Sequence, residues 1–114
     1  MSSQSEVMHC YEQISLLAEQ MLLRARSGQW SELPAQEEIY SAMVDGLREI
    51  ETLESLHEEQ LARKYVLLGR IATSQAEISS LVVPQLRRLG EVLRNLEQQN
   101  SLQKTYGQSP DRHL

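Results

Sequence analysis

The sequence predicts an all-α chain, an antiparallel bundle or hairpin of three main helices with a long third helix and a short C-terminal helix. Three observations predict it. Of 114 residues 40% are hydrophobic but only 4% aromatic, with one Trp and no Phe, so a core must be built of Leu, Ile, Val, Met and Ala, which suits helix against helix packing. No Asn-Gly or Asp-Gly pair sits between alternating apolar runs, so the usual hairpin signal is missing. Apolar residues instead return at steps of three and four, the period of an amphipathic helix. A chain of this length forms one small domain, expected over residues 1 to 107.

Residues 1 to 4 are polar, and a first helix is expected over about 5 to 27, with Val7, Tyr11, Ile14, Leu17, Ala18, Met21, Leu22 and Ala25 on its apolar side. Arg24 and Arg26 suit the negative end of the helix dipole, and Gly28 can take a left-handed stop. Trp30 follows as an anchor between helices. Ser31 is the expected N-cap of a second helix over about 31 to 53, in which Pro34 is tolerated because the first turn's N–H groups have no intrahelical partner. Leu33, Tyr40, Met43, Val44, Leu47, Ile50 and Leu53 line it, and Gly46 is expected to mark a close helix contact.

Ser55 and Glu58 fit a capping box and open a third helix over about 56 to 98. Its main apolar row is Leu61, Tyr65, Leu68, Ala72, Val82, Leu86, Leu89, Leu93 and Leu96, with Gln75 and Ser79 as polar members at core spacing. A second row, Leu67, Ile71, Ile78, Leu81 and Val92, runs beside it, more apolar surface than one neighbouring helix can cover. Pro84 lacks an N–H and predicts a bend over Ser80 to Pro84. Residues 99 to 107 form a short last helix ending at Gly107, and 108 to 114 a free tail. At about 1.5 Å per residue the first two helices reach roughly 33 to 37 Å and the third roughly 60 Å. The third outruns its companions, and its surplus apolar surface must be covered by the C-terminal segment, a second copy or another protein.

The net charge of −5 is uneven: residues 1 to 59 carry 12 acids against 3 bases, residues 60 to 114 carry 4 acids against 8 bases. An acidic first half argues against a nucleic-acid partner. The single cysteine, Cys10, cannot form an internal disulfide, and no basic start precedes an apolar run. No apolar stretch approaches the roughly 20 residues that cross a bilayer, so a cytosolic chain without a membrane partner is expected.

Enzymatic chemistry finds no support. His9 and Cys10 are adjacent and point about 100° apart on a helix, and neither His57 nor His113 is paired with them in spacing. Glu37-Glu38 and Glu58-Glu59 are neighbours that diverge. Glu6 to His9 and Glu54 to His57 have the Glu-x-x-His spacing of di-iron bundles, but Glu77, Glu91 and Glu97 miss the apolar rows that would bring inward ligands. No catalytic residue, metal or cofactor is expected.

Ile14 to Leu17, the run Arg26-Ser27-Gly28-Gln29-Trp30, Glu37, Tyr40, Ser101-Leu102 and Tyr106-Gly107, in this order and separation, resemble the FliT-type flagellar export chaperones over most of the chain. Pro84 and the turn after the second helix depart from that pattern. The resemblance implies a cytosolic binding protein that holds the C-terminal region of the flagellar filament cap protein (FliD type) and delivers it to the export ATPase complex of the type III apparatus; some members also restrain the flagellar master transcription regulator. It further implies that the segment with Leu102 and Tyr106 regulates access to the partner surface. The partner-binding residues expected are Val44, Leu67, Leu68, Ile71, Ile78 and Leu81. Alternatives are a helical adaptor or coiled-coil homodimer, and the related chaperone of filament-junction proteins.

Overall fold

The computed structural model describes the backbone of residues 5 to 107 and the side chains of residues 5 to 103; the expected start 1 to 4 and tail 108 to 114 lie outside the described residues. Within them run α1 (Glu6–Arg26), α2 (Leu33–Glu51) and α3 (Glu58–Gly107). The chain divides into two compact units between Leu81 and Val82.

The ends of α1 follow from its sequence. The Ser5 hydroxyl accepts from Met8 N–H at 3.0 Å, and the Glu54 carboxylate accepts from Val7 N–H at 3.3 Å, so two first-turn donors are satisfied by anionic or hydroxyl oxygen. At the other end Gly28 adopts φ 75°. Its N–H reaches the Ala25 carbonyl at 3.2 Å and Gln29 N–H the Arg24 carbonyl at 2.9 Å, the paired bonds of a Schellman stop.

Ser31 does not cap α2 as expected. Trp30–Glu32 form a 3-10 turn in which Leu33 N–H bonds to the Trp30 carbonyl. Pro34 explains the difference: an α-helical start would take the Trp30 carbonyl with the N–H of residue 34, which proline lacks, so residue 33 takes it in the tighter pattern. The α2 helix ends at Glu51 and α3 starts at Glu58, two residues after its expected start at 56. His57 N–H donates to Gln60 Oε1 at 3.0 Å, the back-bond of a capping box shifted along the chain. The shift has a cause in packing. Glu54 is held at the N-terminus of α1 and Leu56 packs against the core, which keeps residues 54 to 57 out of helix.

No break separates a short last helix; α3 runs unbroken to Gly107. Between Glu91 and Tyr106 there is neither Gly nor Pro, and Asn100 and Ser101 weaken a helix without stopping it. Helical structure also continues through Pro84, three residues beyond the division between the units. Gly46 marks no close contact: a Cβ there would meet nothing within 4 Å.

The first unit is an up-down-up bundle. Tyr11 pairs with Glu51 and Val7 with Glu54, so α1 and α2 run antiparallel. Glu12 pairs with Arg63 and Arg26 with Glu77, both 51 residues apart, so α1 and α3 run parallel. Val7, Tyr11, Ile14, Leu47 and Leu67 form the core cluster, each large aliphatic member contributing about 1.5–3 kcal/mol by burial.

One window of 18 residues in α3 reaches a mean hydropathy of 1.2, which corrects the expectation that no stretch approaches membrane-spanning composition. The cause is the pair of adjacent apolar rows on one helix, and only 17% of that window is buried.

Candidate partner-binding face of the third helix

Within the first unit, α3 turns Gln60, Lys64, Leu67, Ile71, Ser74, Ile78 and Leu81 toward α1 and α2, all buried or half-buried at alternating steps of four and three. Leu61, Tyr65, Leu68 and Ala72, at the same steps one residue further on, are exposed. Leu67 is 1% exposed and Tyr65 65%. The more polar row is thus the one that packs, and the main apolar row of the sequence faces outward.

Paired polar groups make that possible. Lys64 Nζ lies 2.8 Å from Glu51 Oε2, which also accepts the Tyr11 hydroxyl. The same ammonium sits 5.6 Å from the centre of the Tyr11 ring and 5.9 Å from that of Tyr65. The Lys64 hydrogen bond, then that of Tyr11, holds Glu51 below the ordinary carboxylate range. Burial, reinforced by Glu51, pushes the Tyr11 phenol up, and the bond to Glu51 raises Lys64. At the rim, Arg63 clasps Glu12 through bonds of 2.8 and 3.0 Å, and Arg26 clasps Glu77 through bonds of 2.6 and 2.8 Å. Each bidentate pair fixes the register of α1 against α3.

The six residues expected at a partner surface are divided by this packing. Leu67 and Ile78 lie inside the bundle, Val44 and Ile71 pack half-buried against its core cluster, and Leu81 is half-buried. Leu68 faces solvent. Leu61 and Tyr65, absent from the expected set, stand exposed beside it; their signal was their place in the main apolar row. Two side-chain atoms, Gln36 Oε1 on α2 and Gln75 Nε2 on α3, are buried without a hydrogen-bond partner.

In the second unit Leu86, Leu89, Val92, Leu93 and Leu96 are all exposed, as is Leu102; the Tyr106 side chain lies outside the described residues. Among the described residues no three His, Cys, Asp or Glu side chains converge on a metal-sized site.

A three-helix bundle that keeps its most apolar helix row uncovered belongs to the class of small all-helical proteins with an exposed apolar face. The family model described as "Flagellar protein FliT" matches residues 8–108, and the chain belongs to the FliT family of flagellar proteins. It is 34% identical to flagellar protein FliT of Yersinia enterocolitica over 106 residues, covering 91% of this chain and 87% of that one. The FliT of Yersinia pestis is 33% identical over 108 residues with the same coverage. The crystal structure of FliT from Bordetella bronchiseptica superimposes with a TM-score of 0.70 at 33% identity, covering 77% of this chain and 99% of that one.

Proposed function

We propose that this chain is a cytosolic export chaperone that holds the C-terminal region of the flagellar filament cap protein (FliD type) and escorts it to the export ATPase complex of the type III apparatus, with restraint of the flagellar master transcription regulator as a further task. The observation that carries this reading is the uncovered row Leu61, Tyr65 and Leu68 on a helix whose other side is filled. An amphipathic segment docks on such a row through anchors at i, i+3, i+4 and i+7.

Calorimetry of the full chain with a peptide of the cap protein's C-terminal region tests it. One-to-one binding is expected, weakened about tenfold or more by Tyr65→Asp or Leu68→Asp. Absence of binding, or binding indifferent to both substitutions, overturns the reading. The segment expected to regulate access to that row is the end of the unbroken α3, with Leu102 exposed.

A further inference from the structure

From Leu61 to Ser80 the only charged residues of α3 are Arg63, Lys64, Arg70 and Glu77. Arg63 pairs with Glu12, Lys64 with Glu51 and Glu77 with Arg26, so these three point to the bundle. Arg70 stands on the same edge, seven residues from both Arg63 and Glu77. The solvent side carries no charge, the reverse of an ordinary surface helix. We propose that this side receives two helices of one partner segment, lying next to each other. One runs along Leu61, Tyr65, Leu68 and Ala72, the other along Ala62, Val66, Gly69 and Thr73 with an acidic residue opposite Arg70. The inference rests on the proposed function, whose docking row is the first of the two strips.

The width of the arc sets the number of helices. At about 100° per residue, the uncharged surface from Leu68 through Tyr65 and Gly69 to Val66 spans roughly 160°. A stripe of about 100° is enough to face one core. Both strips repeat the same steps of four, three and four, one residue apart, so their centres diverge by about 100° and each addresses its own neighbour. All eight residues are exposed, Val66 by 48%. A helix without charge over most of its circumference belongs at the centre of a larger bundle, and α1 and α2 fill only one side of it. The second strip is singled out by its missing charge; its small side chains set only how near a neighbour comes. A Cβ on Gly69 would meet nothing within 4 Å, so the space above it is open to a helix packed at the usual axial separation of about 8–10 Å.

Charge decides the chemistry of the second helix. The Glu12 carboxyl is lowered most by the Arg63 hydrogen bond, and Arg70 adds a weaker attraction to a carboxylate already clasped. Among the described residues Arg70 forms no ion pair and is exposed at the rim of the second strip. An acidic side chain on the partner's flank is matched there and a basic one repelled. Length follows from the strips. Residues 61 to 73 rise about 18 Å, so each partner helix needs about 12 residues. With a connection of roughly 2–8 residues the segment is about 30 residues long.

Calorimetry of the full chain with a peptide spanning the cap protein's whole C-terminal region tests this, using substitutions on the second strip alone. Gly69→Leu blocks close approach and Val66→Lys places a charge under the second helix. Both positions are exposed, so neither change should lower Tm. Each should weaken binding at least about fivefold, as should Arg70→Glu. Circular dichroism at saturation should show about 24 residues gained as helix, against about 12 for a single docked helix. Binding that is sensitive to Leu68→Asp but indifferent to Gly69→Leu and Val66→Lys, or to Arg70→Glu, overturns the inference and leaves the proposed function standing. Absence of binding by the parent chain overturns both. Self-association of the chain alone that changes with Gly69→Leu assigns the strip to a second copy and overturns the inference likewise.

Discussion

At the scale of single residues the Tyr11, Glu51 and Lys64 group sets how the bundle answers to pH. The Glu51 carboxyl sits below its ordinary value of 4.5 because Lys64 and Tyr11 both favour its charged form. Its contribution to stability is complete above that ordinary value and is lost as pH falls through the lower native one. Tyr11 and Lys64 are raised instead, so their contributions are complete below their ordinary values and fade as pH climbs through the native ones. Tyr11→Phe removes the hydroxyl bonded to Glu51 and should cost about 0.5–1.5 kcal/mol at neutral pH, measured by urea unfolding. Glu51→Gln should additionally flatten the acid limb of stability against pH; an acid limb identical to that of the parent chain would place the titrating group elsewhere.

At the scale of the element, α3 divides its two apolar rows between stability and binding, and substitutions one residue apart should separate them. Leu67→Ala empties a core position and should destabilise by about 2–5 kcal/mol. Leu68→Asp, one residue on but outward, should change stability by no more than roughly 0.5–1 kcal/mol while weakening partner binding, as thermal unfolding and calorimetry on the same samples would show. Gly46→Ala on α2 meets open space and should stabilise by about 1 kcal/mol, a rise in Tm of roughly 4–8 °C for a bundle of this size. The limits of α1, its Gly28 stop and the helical class were legible because each rests on local chemistry: a serine cap, terminal arginines, a glycine with positive φ. The packing side of α3 was not, because counting apolar residues selects the most apolar row, and here that row faces outward. Lys64 and Ser74 occupy inward positions, and only the tertiary pairing with Glu51 makes the lysine acceptable there. The start of α2 was missed for a smaller reason. Ser31 is a good cap in isolation, but the N–H absent from Pro34 forces a 3-10 turn first.

At the scale of the whole molecule, one helix belongs to two units with different sources of stability. From Glu58 to Leu81 its backbone is held by a bundle with Leu67 and Ile78 buried, whereas every described side chain from Glu91 to Gln103 is exposed. A helix of some 25 residues without buried contacts is marginal in water, because its hydrogen bonds only modestly exceed the cost of ordering the chain. Opening of the second segment should therefore require much less free energy than unfolding of the bundle. Native-state hydrogen exchange of the full chain at about 1 µM should show amides of residues 60 to 80 exchanging only through global unfolding, and amides of residues 90 to 105 exchanging at least about a hundredfold faster. Equal protection along the whole of α3 would mean that both segments open as one.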